Sequence, residues 1–184
     1  MNIRTLTLAV AFLTAIMSLF AQENEKNEKI KYSNVTEFGF STARPNGFSF
    51  EATTAHGFSL EKQHHFGLGT GFGVWYNYTS NVGAAYMPIF FNYRYYFKPD
   101  KTFSPHINVS IGGITGENSM GAYSSIAFGF KSGAFSFSSG LSFMPFYQTY
   151  YGYFDDFGGI FYDNYSFREW QYPYGITLKV GFAF

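Results

Sequence analysis

The sequence predicts an all-β protein whose strands form one closed antiparallel sheet. Three observations carry this prediction. Apolar residues alternate with small or polar ones along residues 174–184, and the same period of two recurs from Tyr32 onward. The composition is 23% aromatic and only 13% charged, with 20 glycines and no cysteine. No segment beyond Tyr32 shows the periodicity of an amphipathic helix.

The alternation divides into eight segments, and we expect each segment to be one strand. They are residues 34–43, 48–58, 66–76, 86–97, 104–112, 122–131, 134–144 and 173–184. Eight is an even number, which a closed antiparallel barrel with both chain ends on one side requires. A strand of about 11 residues tilted by ~40° spans roughly 27 Å, close to the height of the apolar band of an outer-membrane barrel.

The links between these segments alternate in length. Short polar turns at 61–65, 98–101 and 131–133 alternate with longer links at 77–85, 113–121 and 145–172. The link 44–47 is the one short connection on the long side. In membrane barrels the short turns face the periplasm and the long loops face outward, so this asymmetry favours such a barrel.

The first residues are typical of a secretory signal, which we place at 1–21. Arg4 supplies the positive start, an apolar run follows from 6 to 20, and cleavage is expected after Ala21. The run holds about 15 residues, fewer than the ~20 that a spanning helix needs. Residues 22–33 are then a short polar lead-in, and residues 34–184 are the barrel.

Charged residues within the strands fall on the face opposite the aromatics. They are Glu37, Glu51, Arg94, Lys131 and Lys179. A charge on the lipid face near the midplane costs about 2–4 kcal/mol, so we expect these five side chains to form a polar plug in the lumen. We also expect Glu37 to pair with Lys179 beside the seam between the first and last strands. A soluble β-sandwich would show the same periodicity with the faces reversed, but the leader and the terminal aromatic favour the barrel.

The chain ends with Val180, Phe182 and Phe184 on the apolar face of the last strand. This pattern resembles the closing strand of Gram-negative outer-membrane barrels, in which that end is the assembly signal. Residues 86–97, followed by Lys98 and Pro99, also resemble the fourth strand and periplasmic turn of small barrels of the OmpX and OmpA transmembrane type. The resemblance covers residues 34–184.

This resemblance implies a closed, eight-stranded, antiparallel up-and-down transmembrane β-barrel with periplasmic termini, located in the Gram-negative outer membrane. It implies outer-membrane lipid, lipopolysaccharide and the barrel assembly machinery as partners. It carries no catalytic motif.

Other features of the sequence exclude several functions. The net charge is zero and there is no basic cluster, which argues against a nucleic-acid partner. The glycines of 67–73 recur at every second position, unlike a phosphate loop, and predict a smooth inner stripe that accommodates Arg94 and Tyr96 across the lumen. Four histidines are expected near the short turns, solvated rather than metal-binding or catalytic: His56, His64, His65 and His106. We therefore predict a non-enzymatic protein without a cofactor, a metal site or catalytic residues.

The link 145–172 is the best candidate for a binding surface, because exposed aromatics can stack on sugars or form a protein-binding patch. The candidate residues are Tyr150, Tyr151, Tyr153, Phe154, Asp155, Asp156, Phe161, Tyr162 and Trp170. The alternative is that the strands extend past the membrane and the aromatics form an outer belt. The predicted function is structural, surface-binding through the outer loops to a glycan or protein, or both. The alternative function is a narrow conduit for small or hydrophobic solutes, which a side-chain-filled lumen disfavours.

Overall fold

The computed structural model describes residues 29–184 except 45, 80, 117–118 and 155–162, and at 82, 150–154 and 163–168 it describes the backbone alone. The predicted signal at 1–21 lies outside the described residues, as does most of the lead-in. Within the described part no helix is long and apolar enough to cross a membrane.

The described residues form ten β-strands. They are β1 (Ile30–Ala43), β2 (Gly47–Leu60), β3 (His64–Asn77), β4 (Val82–Tyr96), β5 (Phe103–Thr115), β6 (Ser119–Ser132), β7 (Phe135–Phe143), β8 (Phe146–Phe154), β9 (Asp163–Gln171) and β10 (Tyr174–Ala183). Their Tyr, Phe, Ile and Thr content suits a pleated surface that is apolar on one face.

Eight of these strands close into a barrel. Strands β1 to β7 pair in chain order, and β10 pairs with both β7 and β1. At the seam Val35 faces Ala183 and Ser41 faces Thr177. Closure removes the free edges of the sheet, which would otherwise expose unpaired backbone groups. The predicted fold class, a closed eight-stranded antiparallel barrel, is confirmed.

Most strands extend beyond the predicted bounds. Strand β1 begins at Ile30 rather than at 34, because Ile30 and Lys31 pair with Leu60 and Ser59 beside the short turn that connects β2 to β3. Likewise β5 and β6 continue to Thr115 and Ser119. Several of the added residues are polar, such as Lys31, Ser33 and Thr115, and the ladder of backbone pairs holds them in the strands.

The predicted link 145–172 contains a β-hairpin, which agrees with the alternative interpretation that the strands extend into this link. Strand β8 pairs with β9 along its length and with the start of β6, where Tyr147 faces Met120. Pro145 separates β7 from β8, and Pro173 separates β9 from β10. Proline has no N–H to donate to a ladder, so it interrupts the pairing locally. The hairpin is therefore a continuation of two barrel strands beyond a pair of breaks.

The wall of the barrel has an apolar outer face and a largely polar middle layer inside. Phe38, Phe72 and Phe128 are 58%, 59% and 60% exposed on the outer face. Glu37, next to Phe38 on β1, and Arg94, on β4, are buried in the interior at 5% and 0% exposure. This is the reverse of the polarity of a water-soluble protein, in which charged residues are almost never fully buried.

The glycine stripe of β3 faces the interior and accommodates aromatic rings from β4. A Cβ atom on Gly69 would lie 2.4 Å from Cζ of Phe90, and one on Gly73 would lie 2.3 Å from Cζ of Tyr86. The stripe was expected to accommodate Arg94 and Tyr96, and this expectation is wrong. The register explains the difference. Gly69 pairs with Phe90 and Gly73 pairs with Tyr86, so each ring lies over the glycine directly opposite it on the neighbouring strand.

The packing of Phe90 over Gly69 gives a testable prediction. Gly69→Ala places a methyl group against the ring, and overpacking of this kind should lower the free energy of unfolding by about 1–3 kcal/mol. Urea denaturation of the refolded barrel measures the change. Phe90→Leu added to Gly69→Ala should restore part of the loss. Thr70→Ala, on the exposed outer face of the same strand, is the control, and equal stability of the two single variants would contradict the packing described.

Candidate functional site

The centre of the barrel contains a buried ion pair between strands that are not neighbours. Nη2 of Arg94 on β4 donates to Oε1 of Glu37 on β1 at 2.8 Å, and Nη1 donates to Oγ of Ser136 on β7 at 3.0 Å. Arg94 is fully buried. One guanidinium group therefore links three strands across the lumen.

A second buried ion pair lies on the same inner surface. Nζ of Lys179 on β10 lies 2.7 Å from Oε1 of Glu51 on β2. The hydroxyl of Tyr123 on β6 joins both groups, because it donates to Oε1 of Glu51 at 3.0 Å and accepts from Nζ of Lys179 at 3.0 Å. The carboxylate, the ammonium group and the phenol form a closed hydrogen-bonded set.

The absence of a side chain at Gly39 allows Glu51 and Lys179 to meet. In the sheet Gly39 pairs with Glu51 on one side and with Lys179 on the other. A Cβ atom at Gly39 would lie 2.8 Å from Cγ of Glu51, so any larger residue would displace the carboxylate. The two charges thus reach each other over the backbone of β1.

The expectation that Glu37 pairs with Lys179 is therefore wrong. All four residues lie inside the barrel, but Glu37 pairs with Arg94 and Lys179 pairs with Glu51. The register of the seam is the reason. Glu37 faces Gly181, whereas Lys179 faces Gly39, two positions further along β1.

The end of the lumen near the short turns contains histidines and Lys131. His65 and His106 are fully buried, and Nδ1 of His65 lies 2.9 Å from Oγ of Ser33. The ring of His106 lies 5.4 Å from that of Tyr96. Nζ of Lys131 lies over the same tyrosine ring, 5.7 Å from its centroid, and Lys131 is only half-buried.

The expectation of solvated histidines is consequently wrong for two of the four. His64 and His65 are adjacent in β3, and adjacent strand residues face opposite sides of the sheet, so only His65 enters the lumen. His64 and His56 lie on the outer wall, where Nδ1 of His64 is 3.0 Å from the hydroxyl of Tyr93 and Nδ1 of His56 is 2.9 Å from Nδ2 of Asn34.

Among the described residues, no three His, Asp or Glu side chains converge as a metal site.

An apolar layer fills the end of the lumen near the long loops. The rings of Trp75 and Phe146 meet edge to face with centroids 5.3 Å apart, and Phe146 is only 2% exposed. Tyr86, Phe90 and Ile114 belong to the same buried cluster. Phe146 is the first residue after Pro145, so the chain turns into the barrel before the hairpin leaves it.

This layer was not predicted from the sequence, although the positions of its aromatic residues indicate it. Along β3, Trp75 points to the opposite face from Phe72 and Val74. Along β4, Phe90 points to the opposite face from Ile89 and Phe91. A large aromatic on the face otherwise occupied by glycines and charges indicates interior filling.

The candidate residues of the outer hairpin lie at different places. Tyr150, Tyr151, Tyr153 and Phe154 belong to β8, where the structure describes only the backbone, and Asp155, Asp156, Phe161 and Tyr162 lie outside the described residues. Trp170 is 54% exposed and its ring stacks on that of Tyr172 with centroids 6.1 Å apart. The three residues of the expected assembly signal, Val180, Phe182 and Phe184, are all exposed on the outer face of β10 and the chain end.

Comparison with protein-family models gives no match to this chain, and a search of curated proteins finds none that is significantly similar. The structure itself defines the class: a closed eight-stranded antiparallel barrel with an apolar outer wall and an interior filled by ion pairs, histidines and aromatic rings.

The partners of the two ion pairs can be tested by double-mutant cycles. Glu37→Leu or Arg94→Met alone leaves one buried charge without its partner, which should lower the free energy of unfolding by about 3–5 kcal/mol. The double variant should recover a large part of this loss. The pair Glu51→Leu and Lys179→Met should behave in the same way.

The control cycle combines Glu37→Leu with Lys179→Met, which are not direct partners. Its coupling energy should be clearly smaller than those of the two direct pairs, as measured by urea denaturation of the refolded protein. A coupling as large as that of Glu37 with Arg94 would contradict the pairing described.

Proposed function

We propose that the chain is an integral outer-membrane β-barrel protein that is not an enzyme. The observation that carries the proposal is the polarity of the barrel. Its outer wall carries many exposed apolar side chains, and two ion pairs are buried inside. In lipid every backbone polar group must be satisfied within the protein, and a closed barrel meets this condition. The kind of protein that fits is the small eight-stranded barrel represented by OmpX and the transmembrane part of OmpA.

The arrangement of side chains along the strands supports the same proposal. Tyrosine and tryptophan lie near the strand ends, as Tyr32, Trp170 and Tyr174 do, and all three are exposed. Phenylalanine and leucine occupy the outer face nearer the middle, as at Phe128 and Leu178. Aromatic girdles on both sides of an apolar band are typical of barrels that span an outer membrane.

The filled lumen supports a structural role rather than a conduit. Two buried ion pairs cross the middle, and a layer with Trp75 and Phe146 packs above them. An eight-stranded barrel is just wide enough for side chains to fill it. We therefore propose a structural role as the function of the barrel, with a narrow conduit as the second candidate function.

Surface contacts are assigned to the long-loop side. The hairpin β8–β9 projects beyond the prolines that interrupt the wall, and exposed rings such as Trp170 and Tyr172 lie at its base. Rings of this kind stack on sugars or anchor protein contacts. Lipopolysaccharide, a glycan or a surface protein is the proposed partner there, with the short turns facing the periplasm and β10 presented to the barrel assembly machinery.

The membrane position predicts how charges are tolerated on the outer wall. Phe128→Lys places a charge near the middle of the apolar belt and should lower the free energy of unfolding in lipid vesicles by about 2–4 kcal/mol. Phe103→Lys, at the short-turn end of β5, should cost about 0–1 kcal/mol. Both phenylalanines are similarly exposed, at 60% and 55%. In a water-soluble protein Phe128→Lys would be neutral or stabilising, and that result would overturn the proposal.

The filled interior predicts the behaviour of the protein in planar bilayers. The wild-type chain should give no stable stepwise conductance, because ion pairs and aromatic rings block the lumen in successive layers. Phe146→Ala alone should also remain silent, since the ion pairs below it persist. Regular single-channel steps from the wild-type protein would favour the conduit instead.

A further inference from the structure

The base of the hairpin β8–β9 carries two exposed aromatic rings that lie in nearly the same plane. Trp170 is 54% exposed, and Tyr172, which directly follows β9, is 58% exposed. Their ring planes differ by only 18° and their centroids are 6.1 Å apart. Trp170 and Tyr172 therefore form a flat aromatic strip along one face of the chain.

A third aromatic residue supports the aromatic strip from the neighbouring strand. Tyr147 on β8 pairs with Trp170 in the ladder, and the two rings meet edge to face with centroids 5.6 Å apart. The hydroxyl of Tyr147 donates to Sδ of Met120 on β6 at 3.8 Å, which links the base of the hairpin to the barrel wall. The aromatic strip is thus held in place before a ligand binds, so that binding costs less conformational entropy.

The aromatic strip lies beyond the apolar band of the proposed membrane barrel. Tyr174 and Phe184 are both exposed and stand ten positions apart along β10 and the chain end. At ~3.3 Å per residue and a tilt of ~40°, this segment spans roughly 25 Å, the height of the apolar band of an outer-membrane barrel. The ladder continues outward past Tyr174 in the same register. Trp170 and Tyr172 therefore extend the outer aromatic girdle away from the lipid.

Flat exposed rings of this kind suit hexopyranose sugars, which present a ring face made only of C–H bonds. Both rings are more than half exposed, whereas the anchors of protein interfaces cluster in well-packed pockets. Two coplanar rings match two consecutive sugar units whose faces lie in one plane. Equatorial linkages keep consecutive units of a glycan flat, and axial linkages curve the chain. The hydroxyl of Tyr172 adds a group that can both donate to and accept from sugar hydroxyls.

We propose that the aromatic strip binds a linear glycan of equatorially linked hexopyranose units, with one unit stacked on Trp170 and the next on Tyr172. The assignment rests on the proposed function, in which the long-loop side makes the surface contacts, and it gives that side one class of ligand. Recognition by stacking depends on the shape of the chain and not on its charge, so a neutral glycan is sufficient.

The test uses the full-length protein folded in a detergent without a sugar head group and titrated with cellohexaose, a neutral glucose oligomer with equatorial linkages. Saturation-transfer NMR identifies the sugar protons that contact the protein, and we expect the strongest transfer at the C–H protons of one ring face. Maltohexaose has the same number of glucose units but axial linkages. It should bind about fivefold more weakly, because only one of its units can stack at a time.

Removal of either ring tests the aromatic strip directly. Trp170→Ala should weaken the binding of cellohexaose about fivefold or more, because one stacking contact is lost, and Trp170→Phe should retain part of the binding. Tyr172→Ala should behave like Trp170→Ala. The matched control is Tyr78→Ala, because Tyr78 is 59% exposed and follows β3 on the same long-loop side of the barrel.

Each comparison can overturn one part of the proposal. The absence of saturable transfer from the wild-type protein would exclude a glycan site and favour a protein as the partner of these rings. Equal binding by Tyr172→Ala and Tyr78→Ala would exclude the aromatic strip. Tighter binding of maltohexaose, or of the branched core oligosaccharide of lipopolysaccharide freed of its lipid, would overturn the choice of a flat linear chain. The effect of Phe128→Lys in vesicles is independent of these measurements, so a failed glycan site and a failed membrane barrel give different results.

Discussion

Two pairs of opposite charges inside a narrow barrel are the interaction on which the other features depend. Arg94 with Glu37, and Lys179 with Glu51, lie where little water can solvate them, so a charge without its partner would be costly. Each pair joins strands that do not touch in the sheet. The pairs therefore require the barrel to close with one register, because a slip of one strand by a single residue would turn its inner side chains outward.

The interior is built in layers that follow from this requirement. Histidines and Lys131 lie near the short turns, the ion pairs lie at the centre, and the rings of Trp75 and Phe146 lie near the long loops. Glycines make the layers possible in two places. Gly39 lets Glu51 reach Lys179, and Gly69 accommodates the ring of Phe90. Small residues on one strand thus compensate for large ones on the next.

The sequence predicted the wall of this protein better than its interior. Alternation assigns each residue to a face, so the eight strands and the position of Glu37 opposite Phe38 could be derived from it. The closure of the barrel and the inward direction of the charged face could not, because a β-sandwich has the same period, and they were inferred from the leader and the terminal aromatic. The partner of Glu37 could not be derived, because it depends on the offset between β1 and β10, which alternation leaves open. The extension of the strands into 145–172 was one of two interpretations of that link, and the bounds of β8 and β9 could not be derived because Pro145 and Pro173 interrupt the strands at its two ends.

The two prolines have a consequence for how this surface can diversify. They interrupt the ladder between the wall and the hairpin, and the hairpin continues the register of the wall, since Phe143 pairs with Tyr174 and Phe146 pairs with Gln171. Residues can be gained or lost in matched pairs at the far end of the hairpin without shifting any residue of β7 or β10. The reach and chemistry of the projecting ribbon can then change over generations, while the charge pairs within the wall remain under separate constraint.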